Sequence, residues 1–214
     1  MRLILAAAAA FTVPLAAVSL VAQAPMTTPG SRNPAAITGG TYMSDPGHTL
    51  VKWKVDHLGF TPYWGLFGAV TGSLTLDPKN PAAAKVDVTI PVSKVITASS
   101  GLTEHLLRAP KEAGGKPDFF GAAPSDARFV STAVAVSGQT ARITGNLTLN
   151  GVTKPVILDA AFYGAGKVGA QMGGKENVGF TAKTTIKRSD FGITQGIPMI
   201  SDAVELEIAA AFQK

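Results

Sequence analysis

His48, His57 and His105 are the only imidazoles in the chain, and imidazole is the side chain best suited to acid–base or metal-ligating work near neutral pH. None stands three to five residues from another, and no His-Glu-x-x-His run occurs, so the spacing of a metal site is missing and His57 reads as a polar group closing the end of a strand. Gly164-Ala-Gly-Lys-Val-Gly169 matches the G-x-G-x-x-G pattern and follows a strand-like run. That pattern cradles a pyrophosphate only where a helix begins behind it, and here Ala170-Gln-Met-Gly-Gly174 continues as loop, so no dinucleotide cofactor is expected. There is no G-x-S-x-G elbow, and Ser189-Asp190 beside Arg188 has no base nearby, so a hydrolytic triad would need distant residues. Asn146-Leu-Thr148 fits a glycosylation acceptor but sits on an expected strand. With no cysteine, disulfides, thiol chemistry and thiolate metal sites are excluded.

The residues that would position any chemistry are arranged for a sheet. The chain of 214 residues is 46% hydrophobic, enough for a substantial core, and only 15% charged with 23 glycines and 14 prolines, a balance that favours strands and turns over charged helices. The net charge of +5 is spread over single or paired lysines with no arginine cluster, which argues against a nucleic-acid partner. Residues 1–24 have the form of a secretory signal peptide: Arg2, an apolar run from Leu3 to Val21, and the small-residue box Ala22-Gln-Ala24. The competing reading is an uncleaved membrane anchor, since the run is about long enough to span and Pro25 is a poor residue for cleavage. Residues 25–40, rich in proline and glycine and without periodicity, are expected to form a flexible linker, with a folded domain over 41–214.

Within that domain a period of two recurs. Val51, Trp53 and Val55 alternate with Lys52, Lys54 and Asp56, one apolar face and one charged. After a glycine-rich corner, Leu66, Val70, Leu74 and Leu76 fall on one parity, and Gly65, Gly68 and Gly72 permit sharp bending or close approach. Further strands are expected at 86–92, 127–136, 141–149, 152–163, 178–188 and about 204–212, with a hairpin at Asn150-Gly151 and a short helix over 99–108 capped by Ser99, Ser100 or Thr103. Pro155 limits pairing, as at an edge or bulge. Phe119-Phe120, in a loop rich in glycine and proline, is expected to pack on the sheet or close one end of it. About eight antiparallel strands split into a sandwich or close into a barrel, whose interior is filled by side chains or holds one ligand. The residues expected to point inward are Trp53, Val55, Val88, Ile90, Phe129, Leu147, Leu158, Phe162, Phe180 and Ile186. Phe129 conflicts in phase with Val130, Val134 and Val136. Periodicity alone favours a solid core for these side chains.

Several motifs in fixed order point further: Tyr42 to His48, His57-Leu-Gly59, Gly65-Leu-Phe67, Gly72 to Asp77, His105-Leu106 with Phe119-Phe120, Gly145 to Val156, Arg188-Ser-Asp-Phe-Gly192 and the closing Val-Glu-Leu-Glu-Ile strand. Together they resemble the YceI-like family of polyisoprenoid-binding periplasmic proteins, over roughly Thr41 to Lys214. The resemblance implies an all-β fold, an eight-stranded antiparallel lipocalin-like barrel with a short inserted helix, often a homodimer. It also implies a long hydrophobic pocket for an isoprenoid or other apolar lipid, which reverses the preference for a solid core. Phe119 and Phe120 join the ten inward residues as expected ligand contacts. No metal, cofactor or catalytic residue is implied, and a lipid ligand brings transient membrane contact with it. Two departures from the family pattern, the long stretch Arg108 to Ser125 and the glycine-rich Gln171 to Asn177, are expected near a pocket mouth. The alternatives are a secreted stress-response or adaptor module with a solid core, working through its surface, and a lipid-modifying enzyme using His57 or His105.

Overall fold

The computed structural model describes residues 27–214; the expected signal peptide lies outside them. Its strands are β1 (Gly40–Ser44), β2 (Leu50–His57), β3 (Thr61–Phe67), β4 (Thr71–Leu76), β5 (Lys85–Ile90), β6 (Ile96–Thr97), β7 (Ala127–Ser137), β8 (Thr140–Leu149), β9 (Val152–Lys167), β10 (Glu176–Lys187) and β11 (Ala203–Gln213). Helix α1 (Ser100–Leu106) is the one α-helix among the described residues. Six of the strands combine in pairs. β1 and β2 follow each other along β11, through Ser44 opposite Phe212 and Leu50 opposite Ala209. The bulge between them is stitched to the same strand, since the Asp45 N–H donates to the Ala211 carbonyl (2.8 Å) and the Ala211 N–H to Thr49 Oγ1 (3.1 Å). β3 and β4 likewise run on beside β2 and β1, and β5 and β6 beside β4 and β3. The eight resulting strands pair antiparallel with their sequence neighbours, and β11 closes on β1 and β2. The barrel is closed and up-and-down, the one of the two arrangements left open by the alternation that the family resemblance implies.

The kinks decide which side chains enter the barrel. Ala69 takes a left-handed φ of 54° between β3 and β4, and this shifts the phase by one residue. Tyr63 and Phe67 therefore line the interior below the kink and Val70, Leu74 and Leu76 above it. Leu66, which shares a sequence parity with Val70, Leu74 and Leu76, is not among the interior residues, because the shift separates it from them. In β7 a bulge between Ser131 and Ala133 does the same. Its extra residue sends both Phe129 and Val134 inward and resolves the phase conflict of the sequence. Two glycines make room for large rings. A Cβ on Gly65 would lie 2.2 Å from the Trp53 ring, and one on Gly145 would lie 2.4 Å from that of Phe129. Pro155 faces Asn146 of β8, and β9 begins to pair with β10 only at Asp159, so the missing N–H falls where β9 has a single neighbour. Ser99 caps α1 by accepting from the Leu102 N–H (3.2 Å).

The segment expected to be a flexible linker is docked from Ser31 onward. Ser31 exchanges two backbone hydrogen bonds of 2.9 Å with Ala165, on the part of β9 that extends past the start of β8. Gly164 and Gly166 of the G-x-G-x-x-G run lie in that strand, where a Cβ on Gly166 would lie 2.1 Å from the Pro29 carbonyl. These two glycines admit a strap. Ile37, the one large apolar residue of the strap, is 7% exposed and packs with Tyr42, Leu74, Leu76, Val178 and Phe212. A polar latch follows it: Glu176 accepts from the Thr38 N–H (2.9 Å) and the Tyr42 hydroxyl (2.8 Å), and the Lys214 ammonium donates to Thr38 Oγ1 (2.6 Å). The Tyr42 hydroxyl also contacts the Thr38 carbonyl.

The Thr38 N–H, then the Tyr42 hydroxyl, with help from the Lys214 charge, pull the Glu176 carboxyl down to about 2 from an ordinary 4.5. Burial and the neighbouring carboxylate push Tyr42 up to about 12. A carboxylate with a depressed folded-state pKa stabilises above its unfolded value and loses that contribution as pH falls toward the folded one. The strap is therefore expected to loosen as pH falls from about 4.5 to about 2. Proteolysis and amide exchange at residues 31–38 will show it, and Glu176→Gln is expected to loosen the strap already at neutral pH and flatten its acid dependence.

Candidate ligand-binding cavity

Strands β2 to β5 and β7 to β11 supply inward side chains, and instead of meeting at the axis these surround a cavity of about 860 Å³. All twelve residues singled out from the sequence line it: Trp53, Val55, Val88, Ile90, Phe119, Phe120, Phe129, Leu147, Leu158, Phe162, Phe180 and Ile186. Many of them, including Val88, Leu147, Leu158, Phe162, Phe180 and Ile186, are only partly buried although they face the barrel axis. In a solid core the same positions would be fully covered, so periodicity by itself gave the wrong interior. Phe162 of β9 and Phe180 of β10 meet edge to face with centroids 5.9 Å apart, a favourable arrangement that leaves ring faces free.

Two packed clusters bound the cavity. At the strap end lie Ile37, Tyr42, Leu74, Leu76, Val178 and Phe212. Toward α1, Trp53, Val95, Leu106 and Val204 are buried, with Phe119, Phe120 and Phe67 packed against them. Phe120 meets Phe67 edge-on at 5.9 Å, and its N–H donates to the Leu106 carbonyl (3.0 Å). The aromatic pair thus joins the helix to the barrel wall at one end, as expected of it. The Trp53 indole N–H is buried with no hydrogen-bond partner among the described residues, one unpaired donor in a largely apolar lining.

The polar groups on the lining are few. His105 Nε2 lies 2.9 Å from Asp118 Oδ2, and its ring stands edge-on to Phe119. The hydrogen bond from His105, with the charges of Lys111 and Arg108, holds the Asp118 carboxyl below its usual range. His57, the last residue of β2, is exposed and bridges to Ile200. His48 lies instead against Asp45, at 2.8 Å, outside the cavity lining. Among the described residues no three histidine or acidic side chains converge as metal ligands would.

Arg188 is the buried cation of the site, 6% exposed. Nε donates to the Ser201 carbonyl (2.9 Å), Nη1 to those of Ile193 (3.3 Å) and Gln195 (2.8 Å), and Nη2 to that of Ile200 (2.9 Å). One side chain so ties down the loop between β10 and β11, whose residues Ile193, Gln195, Gly196 and Ile200 line the cavity. The sequence places Arg188 beside Ser189-Asp190 and in a family motif, and gives it no part in the cavity. Sequence reasoning also passed over Tyr63, Phe67 and the strap residues Pro34 and Ile37, all of which line the cavity. The phase of β3 is hidden by its kink, and the strap has no period to read.

The YceI-like domain model matches residues 42–212. The chain is 41% identical to protein YceI of Salmonella arizonae over 163 residues, covering 76% of this chain and 80% of that one. Among solved structures, the YceI protein of Campylobacter jejuni is 30% identical with a TM-score of 0.60, over 74% of this chain and 89% of the other. A polyisoprenoid-binding domain from Saccharophagus degradans, implicated in plant cell wall breakdown, shares the fold at 14% identity and a TM-score of 0.55, over 80% of this chain and 97% of that one. The motifs, the closed eight-stranded barrel and the match across 42–212 agree: this chain belongs to the YceI-like family.

Proposed function

We propose that this protein is an exported, periplasmic carrier that holds a long isoprenoid or similar amphiphilic lipid inside its barrel. The observation that carries the reading is the apolar cavity of about 860 Å³ enclosed by a closed sheet. At about 30 Å³ per water-sized group, such a cavity takes roughly 30 carbon-sized groups. Each buried methylene contributes roughly 0.8 kcal/mol, so a long chain binds tightly without a charged anchor. The polyisoprenoid-binding description of the Saccharophagus domain supports this ligand class. The apolar leader in residues 3–21 supports export. The role is to bind and carry, and it breaks no bond in the ligand.

The test is native mass spectrometry of protein purified gently from a bacterial host, with organic extraction in parallel. A bound hydrophobic species is expected, and a strictly unliganded mass with an empty extract would refute the reading. A second measurement addresses the wall. Phe162→Ala is expected to weaken lipid binding while costing less than the roughly 3–5 kcal/mol of a packed-core phenylalanine, because its ring borders open space. A full core-sized loss in a thermal melt with unchanged binding would place Phe162 away from the ligand.

A further inference from the structure

We propose that the β2–β3 hairpin tip, Leu58-Gly59-Phe60, together with Met199, inserts into the outer margin of a phospholipid bilayer and presents the adjoining end of the cavity to the membrane. The inference rests on the lipid-carrier reading and adds to it the place where lipid is exchanged. Phe60 is 88% exposed, Met199 61% and Leu58 40%. They form one unit, because the Leu58 N–H donates to the Met199 carbonyl at 2.8 Å and His57 bridges to Ile200. His57 and Ile200 line the cavity, as do the exposed Gln195 and Gly196 of the same loop. The apolar tip therefore borders an end of the lipid site.

The backbone shows that folding does not ask for these side chains. Leu58 has a φ of 63°, a left-handed conformation that asparagine or glycine adopts more readily than leucine. The turn closes without it, through the Phe60 N–H on the His57 carbonyl (3.2 Å) and the Gly59 N–H on Asp56 Oδ1 (2.7 Å). A strained, exposed leucine followed by an almost fully exposed phenylalanine is costly in water and useful only where apolar atoms leave it. Trp64 of β3 is 47% exposed and lies four residues beyond Phe60 of the turn. It stands up to about 14 Å behind the tip at roughly 3.4 Å per residue. Indole rings settle in the headgroup layer when a neighbouring tip is immersed.

A bilayer fits this surface better than a second copy of the chain does. The tip and Met199 expose roughly 300 Å² of side chain, well under the roughly 800 Å² per partner of a stable protein interface. A bilayer needs no matching surface. The nearest lysine on the hairpin, Lys54, is held by Glu205 at 2.7 Å, so attraction to anionic lipid is not required and neutral lipid suffices.

The experiment is flotation with phosphatidylcholine vesicles, with thermal melts of each variant. The wild type is expected to float with the vesicles, with little dependence on salt. Phe60→Asp is expected to weaken this at least tenfold with an unchanged melt, and Leu58→Asn to weaken it while leaving the melting temperature equal or higher. Met172→Asp, at a 68% exposed apolar site on the turn at the opposite end, is expected to float like the wild type. Failure of the wild type to float, or flotation lost in Met172→Asp and kept in Phe60→Asp, overturns the proposal. Self-association in sedimentation velocity that Phe60→Asp removes, without vesicle binding, assigns the patch to a second copy and also overturns it. Phe60→Asp is expected to retain a lipid supplied directly from solution, so failure of the carrier reading shows separately, as vesicle binding by a protein that takes up no lipid.

Discussion

Leu158→Asp is expected to give a folded barrel that no longer takes up an apolar chain, with affinity lower by a hundredfold or more. Leu158 sits on β9 opposite Ile143 of β8, and both line the cavity. An aspartate there meets open space, so water enters and hydrates the carboxylate. A lipid chain would then have to strip that water away or leave a charge buried without a partner, and either costs several kcal/mol. A hundredfold loss corresponds to about 2.8 kcal/mol, well within that penalty. Ile157→Asp is the parity control. The neighbouring side chain points outward and is exposed, so lipid binding is expected to match the wild type. Direct binding measurements alongside urea melts decide the matter. Outright unfolding of Leu158→Asp would show a solid interior at this position, and binding equal to the wild type would place the ligand elsewhere.

Arg188→Met is expected to cost about 3 kcal/mol or more and to free the loop between β10 and β11. Methionine keeps much of the volume and removes all four guanidinium hydrogen bonds to the carbonyls of Ser201, Ile193, Gln195 and Ile200. Bonds to a charged group contribute roughly 1.5–3 kcal/mol each, but carbonyls that regain water recover part of this. Against a domain stability of about 5–15 kcal/mol the remainder is large. Arg188→Lys is expected to rescue little, since an ammonium cannot span the positions that the planar fork reaches. Chemical denaturation gives the first readout, and amide exchange over residues 189–202 the second. A melt like that of the wild type would mean that other contacts hold the loop.

The arrangement of strands was legible because a period of two is local. Val51, Trp53 and Val55 against Lys52, Lys54 and Asp56 give the phase of β2 with no knowledge of its neighbours, and the outer lysines pair across the strand with Glu207 (2.5 Å) and Glu205 (2.7 Å). Asn150-Gly151 fixes the β8–β9 hairpin in the same way. The Ser99 cap, the short helix and the inward parity of β5, β9 and β10 also belong to this local class. The family motifs added the barrel and its pocket.

Tertiary structure decided what no local pattern carries. The left-handed Ala69 and the bulge after Ser131 each shift a strand by one residue, and a single step exchanges inside for outside, as for Leu66 and Phe67 and for Phe129 and Val134. Ile37 and the strap dock only because β9 extends past β8 and its glycines leave space, a complementarity between segments more than 120 positions apart. The cavity is the clearest case. Whether Leu158 and Phe162 meet other side chains or open space depends on the circumference of the closed sheet, to which all eight strands contribute. Composition and periodicity set which residues face inward, and closure set the empty volume they enclose.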